Sequence, residues 1–237
     1  MAASGRTKST DFRAVRNTYV RTGRLPLGTM LRMGLRDAIC QPFWLPFKYL
    51  GGTVGFKFRE WIWRLYLGHL GRGSLIDLGV EITYPKCVHI GSFTLVDKYV
   101  ALHAGAGSIR IGDRCHLAPG AMVLGHGGVE IGDYVAIAAG ARIFSISDWP
   151  GEGKRCCGPM VPDEHRMLNR KPVKIGKDAF IGLNAVIMPG VTIGAGAVVG
   201  SNSVVTKDIP PWKIAVGLPA KPIADRDPVT LPDLPSM

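Results

Sequence analysis

From residue 90 onward an aliphatic residue recurs every six positions, and the recurrences fall in groups of three. The rows are Ile90, Val96, Leu102; Ile111, Leu117, Val123; Ile131, Ile137, Ile143; Ile175, Ile181, Ile187; and Ile193, Val199, Val205. Gly often follows the aliphatic residue, as at Gly91, Gly112, Gly132 and Gly176. A small or β-branched residue usually sits four places on, as at Thr94, Cys115, Ala121 and Ala185. A period of six matches neither the helical repeat nor simple strand alternation. Three such steps instead make a coil of three short strands and three corners. The aliphatic residue points inward, and stacked coils bury it against its equivalents above and below. Fifteen positions in one register make a chance alignment of sandwich strands untenable. With 31 glycines and only 8% aromatics, the chain suits many turns better than a large aromatic core.

Regular stacking places the first residue of a row six positions after the last of the row before, as from Ile187 to Ile193. Three junctions are longer: nine positions from Leu102 to Ile111, eight from Val123 to Ile131, and thirty-two from Ile143 to Ile175. All three insertions leave the solenoid at the same corner, and insertions on one face of a stacked repeat commonly build a binding surface. They carry "HAGAGS" with His103, "GHGG" with His126, and a loop over 144–172 that holds Asp148, His165 and Arg166. Vertical stacking aligns His103, Leu124 and Phe144, and predicts that His126 lies near Ile146 and Asp148.

From about Leu75 to Ile223 the chain resembles the hexapeptide-repeat acyltransferases, especially those that acetylate sugars in bacterial surface-polysaccharide synthesis. The most specific stretch is 179–223, beginning "AFIGLNAVIMPGVTIGAGAVVG" and ending "WKIAVGLPAKPI". The resemblance implies an all-β solenoid, a left-handed parallel β-helix assembled as a homotrimer. It also implies acetyl-CoA, or another acyl-CoA, as donor to a hydroxyl or amine of a sugar, nucleotide sugar or lipid-linked glycan.

Acyl transfer from a thioester needs a base for the attacking group, and neutral imidazole suits that task near neutral pH. Many relatives carry a His where this chain reads "FSISDWP"; here Ser147, Asp148 and Trp149 stand instead. The base is therefore sought among the histidines present. His126 is the first candidate, with Asp148 as an orienting or acceptor-binding carboxylate. His165 is the second and His103 the third. His69, His89 and His116 read as surface or packing residues. In the family, coenzyme A lies in a groove between subunits, and the residues carried over are Gly182, Leu183, Ser201, Thr206, Lys207 and Lys221. Small residues at 182 and 201 admit the pantetheine arm. Lys207 and Lys221 suit its phosphates.

The net charge of +11 is unevenly spread: residues 1–72 hold 13 Lys/Arg against 3 Asp/Glu, and the remainder is almost neutral. No nucleic-acid-binding motif accompanies the charge, so nucleic acid is not an expected partner. The chain divides into a basic, poorly ordered N-terminus (1–24), a basic and aromatic, partly helical segment (25–72), the β-helix (73–223), and a loose tail (224–237). The middle segment holds Trp44, Tyr49, Trp61, Trp63 and Tyr66. Such a mixture suits either a cap on the first coil or contact with an anionic membrane surface. The body is expected in the cytoplasm, with that segment at the inner face of the membrane. Five cysteines without a spaced framework indicate reduced thiols and no zinc site.

Two other functions fit a solenoid. One is a non-catalytic trimeric scaffold at the membrane. The other is a γ-type carbonic anhydrase, which needs three zinc-bound histidines, two of them about five residues apart. None of the six histidines here form such a pair.

Overall fold

The computed structural model describes residues 19, 23, 24, 28, 48–161 and 163–234. The expectations for most of 1–47, with Cys40 and Trp44, therefore lie outside the described residues. Two compact units are distinguished among the rest: 48–147 with 169–234, and 148–168.

The first unit opens with helix α1 (Gly52–Tyr66). Its Gly55, Arg59 and Ile62 recur at helical spacing and are buried. Arg59 is the anchor: Nε donates to the Ile76 carbonyl at 3.0 Å and Nη1 to the Leu50 carbonyl at 2.6 Å. Asp77 Oδ1 lies 3.6 Å from its remaining nitrogen. Burial pulls the guanidinium pKa down, and Asp77 pushes it back.

The solenoid follows in short strands. Its first coils are β1 (His69–Leu70), β2 (Leu75–Ile76) and β3 (Glu81–Thr83), then β4 (Val88–Ile90), β5 (Leu95–Val96) and β6 (Ala101–His103). The next are β7 (Ile109–Ile111), β8 (His116–Leu117) and β9 (Met122–Leu124), then β10 (Val129–Ile131), β11 (Ala136–Ile137) and β12 (Arg142–Phe144). After the strand pair β13 (Ile146–Asp148) and β14 (Leu168–Arg170) come β15 (Val173–Ile175), β16 (Phe180–Ile181) and β17 (Val186–Ile187). The last coil is β18 (Thr192–Ile193), β19 (Val198–Val199) and β20 (Val204–Val205), closed by a hairpin of β21 (Lys213–Gly217) and β22 (Ala220–Asp225).

Strands of equal rank stack into three sheets: β1-β4-β7-β10-β15-β18, β2-β5-β8-β11-β16-β19-β21-β22, and β3-β6-β9-β12-β17-β20. Within these three sheets the described pairings are parallel except the closing hairpin, so the expected parallel solenoid is what forms. The aliphatic rows are the core, and Ile90, Leu102, Leu117, Ile137, Ile143, Ile181 and Ile187 are fully buried. One row precedes those found in the sequence. Leu70, Ile76 and Ile82 pair with Ile90, Val96 and Leu102, so the solenoid starts at His69.

Where a glycine follows the aliphatic residue, it has a local cause. A Cβ at Gly132 would meet the backbone of Lys177 at 2.7 Å, and one at Gly176 that of Ala195 at 2.6 Å, each in the next coil. Three of the small residues four places on, at one corner of the first coils, form a polar ladder. Ser74 Oγ donates to the Gly91 carbonyl and accepts the Thr94 amide; Thr94 Oγ1 donates to the Gly112 carbonyl and accepts the Cys115 amide.

The tail is not loose over 226–234. Arg226 Nη1 donates to the carbonyls of Asp178 and Gly196, Lys177 pairs with Asp233, and the Leu234 amide donates to Tyr134 Oη. The tail thus runs back past three coils.

Candidate active site

All longer junctions join the third sheet to the first, at one corner. They are 84–87, 104–108, 125–128 and 145–172. The register puts Thr83, His103, Leu124 and Phe144 in one column there, as the spacing predicts. His103 Nε2 sits 3.3 Å from Glu81 Oε1.

His126 is half-buried and lies flat against Gly105 of the preceding insertion. A Cβ at Gly105 would fall 2.2–2.7 Å from the His126 ring, and Gly105 has φ +60°, so only glycine fits beneath the imidazole. The turn carrying His126 is pinned from the other side by Ser145, which is fully buried. Ser145 Oγ accepts the Gly127 amide at 2.8 Å and donates to the Leu124 carbonyl at 2.6 Å. Its own carbonyl accepts the Lys171 amide, so one residue fixes both the His126 turn and the neck of the long loop. Ser145 was not among the candidates. The available signal was a polar residue directly after Phe144, at the point where the sequence leaves its period.

The second unit, 148–168, is organised around Asp148. One carboxylate oxygen accepts the Gly158 amide at 3.1 Å, and the other lies 3.8 Å from Arg166 Nε. The Trp149 amide donates to the Met167 carbonyl, and the Arg155 amide to that of His165. The His165 side chain is exposed, as are the adjacent free thiols of Cys156 and Cys157.

The six donor-site candidates fall in three places. Gly182, Leu183 and Ser201 lie at the corner between the second and third sheets, in successive coils. Thr206 and Lys207 lie beyond β20, at the opposite end of the third sheet, and Lys221 lies on the hairpin. Gly182 is buried, and the next coil occupies the space its side chain would need, with Ser201 N and Val199 O both 2.6 Å from a Cβ there. Its smallness thus has a stacking cause. Leu183 and Ser201 are exposed. Lys207 and Lys221 are exposed and take part in no ion pair among the described residues, whereas Lys174, Lys177 and Lys213 are paired with Glu130, Asp233 and Asp225.

The remaining histidines point outward from the strands. His69 and His89 stand on the first sheet, and burial, with Arg110 and His69 nearby, pulls His89 below the usual imidazole pKa. His116 stands on the second sheet, its Nε2 2.8 Å from Asp97 Oδ2.

A family model described as "Hexapeptide repeat of succinyl-transferase" matches residues 108–145 and 172–207, the coils on either side of the long loop. An Escherichia coli dTDP-4-amino-4,6-dideoxy-D-glucose acyltransferase is 32% identical over 162 residues, 68% of this chain and 84% of that protein. The chain belongs to the hexapeptide-repeat acyltransferases. Galactoside O-acetyltransferase of E. coli K12 is 28% identical across 86% of this chain and 92% of its own. Among solved structures, the N-acyltransferase AntD of Bacillus cereus, in complex with dTDP and 3-hydroxybutyryl-CoA, superposes with a TM-score of 0.67. It is 26% identical over 71% of this chain and 88% of its own. In this hexapeptide-repeat acyltransferase the family's repeats supply the frame from which the corner insertions depart.

Proposed function

We propose that the protein transfers an acyl group, acetyl in the first instance, from acyl-CoA to a hydroxyl or amine on a nucleotide-linked sugar. The observation that carries this reading is His126, an imidazole fixed between Gly105 and the Ser145-pinned turn, at the corner where the insertions gather. His126 takes the proton from the acceptor as its oxygen or nitrogen attacks the thioester carbonyl. The new C–O or C–N bond forms, the C–S bond breaks, and the proton leaves His126 for the departing thiolate. Asp148, with Arg166, shapes the loop that meets the acceptor, and His165 is the alternative base. Leu183 and Ser201 take the pantetheine arm, while the exposed Lys207 and Lys221 take phosphates.

The working unit is a homotrimer. Outward positions of the first sheet are polar throughout: His69, His89, Arg110, Glu130, Lys174 and Thr192. The other two sheets turn mostly apolar residues outward: Leu75, Leu95, Ala136, Phe180 and Val198 beside His116, and Ala101, Met122, Val186 and Val204 beside Glu81 and Arg142. Packing those two faces against neighbouring copies leaves the polar sheet to water. Residues 25–72 hold the trimer at the inner face of the cell membrane, as a peripheral protein.

Incubation with acetyl-CoA and dTDP-linked amino and hydroxy sugars tests the chemistry. The expected outcome is a product heavier by one acetyl group with one thiol released per turnover. No transfer, together with no coenzyme A binding by calorimetry, would restore the scaffold reading. Lys207→Ala and Lys221→Ala should raise KM for acetyl-CoA more than they lower kcat, because phosphates are remote from the reacting carbonyl. Equal affinity for coenzyme A and its dephospho form would count against these two lysines.

A further inference from the structure

Helix α1 has two apolar sides, and the first coil covers one of them. Gly55, Arg59 and Ile62 face the solenoid. On the other side Val54, Lys57, Trp61 and Leu65 recur at helical spacing, with Val54 72% exposed and Trp61 and Leu65 each 57% exposed. A shallow depression in this surface is lined by Thr53, Val54, Lys57, Phe58 and Trp61. The cations around it outnumber the acids. Lys57 and Arg64 share the single carboxylate of Glu60, at 3.1 and 2.9 Å, and the whole of 1–72 holds 13 Lys/Arg against 3 Asp/Glu.

We propose that this outer face of α1 docks the enzyme onto an anionic lipid surface. The inference rests on the membrane reading given above and names the surface that performs it. Trp61 and Leu65 enter at headgroup depth, and Lys57 and Arg64 meet lipid phosphates. The helix lies in the plane of the surface, since no helix among the described residues is long and apolar enough to cross a membrane. Charge selects the occupant. Residues 1–47 carry eight Lys/Arg against two Asp/Glu, and a second copy of α1 brings the same excess, so either would oppose a face already cationic. Anionic lipid suits both the charge and the apolar stripe. Because α1 packs on the first coil, the solenoid would stand on that end, with its C-terminal hairpin farthest from the bilayer.

The test is co-sedimentation of the full-length protein with vesicles of phosphatidylcholine, alone or mixed with phosphatidylglycerol, at low and high salt. The wild type should bind the mixed vesicles, bind phosphatidylcholine weakly, and lose affinity as salt rises. Trp61→Ser with Leu65→Ser should weaken binding by about tenfold or more. Melting temperature and acyl transfer to a soluble acceptor should stay at wild-type values, because both side chains are exposed. Wild-type protein that ignores anionic vesicles, or a double variant that binds as well as the parent, overturns the proposal. A double variant with a lowered melting temperature also overturns it, by showing that protein covers this face. Active enzyme that does not bind vesicles sinks the docking face alone, whereas vesicle-bound protein without transfer sinks only the catalytic reading.

Discussion

At Gly105 the absence of one methyl group decides where His126 lies. His126→Ala should therefore lower kcat by about a hundredfold or more, the usual scale for a positioned general base. KM for acetyl-CoA should change little. Gly105→Ala keeps the imidazole but displaces it, and should fall between wild type and His126→Ala in kcat, with the pH profile altered. Asp148→Asn and His165→Ala separate the alternatives. A silent His126→Ala beside an inactive His165→Ala would move the base to the long loop. Why part of this site was legible in the sequence follows from its construction. An insertion shows as a broken period, so the corner and its histidines could be found by counting. Side-chain bonding shows no such trace. Asp148 holds Gly158 and faces Arg166 within its own loop, and Ser145 pins two segments at once; neither is visible in spacing. Cysteine gives a sharper residue-scale test. Burial pushes the Cys115 thiol from 9.0 up to about 11, while Cys156 and Cys157 are exposed. In native protein a thiol reagent at mild alkaline pH should label the exposed pair quickly and Cys115 only on unfolding. The fold favours the neutral form of Cys115, so the unfolded chain loses that proton first. The stability so contributed, on the order of 2–3 kcal/mol, is intact below about pH 9 and is lost as pH climbs through 11.

Among elements, α1 shows how a charge can serve as a hinge-pin for packing. Arg59 is buried, and its removal would strand two carbonyls and Asp77. Arg59→Met should cost about 2–4 kcal/mol of stability, read as a lower urea midpoint with the β signal retained. An unchanged midpoint would mean that the helix is held by its apolar contacts alone. The coils were readable because each strand repeats the same demand for an inward aliphatic residue, and many of them add a glycine under the next coil. The first coil was harder. Leu70, Ile76 and Ile82 keep the six-residue step, but they follow directly on an aromatic helix whose own apolar pattern masks their start. The tail was misread for another reason. Its ties are a guanidinium on two carbonyls, an Asp on Lys177 and an amide on Tyr134, and none of these leaves a periodic trace.

For the whole molecule the first expectation is assembly. Light scattering should give about three times the 25.5 kDa of the chain, and Phe180→Asp should shift the mass toward that of a monomer with loss of transfer. An active monomer would contradict the proposed trimeric working unit. A last consequence belongs to the two ends of the solenoid. A stack of parallel strands is a template: its top and bottom coils present rows of unsatisfied amides and carbonyls on which another copy could continue growing. Here α1 lies over the first coil, and at the far end β22 turns antiparallel, with Pro222 inside it and Pro210 and Pro211 ahead of β21. Neither surface offers a partner the register it would need. The chain that makes a fibre-like core thus also carries its own terminators, and they hold it to a finite particle instead of an open-ended filament.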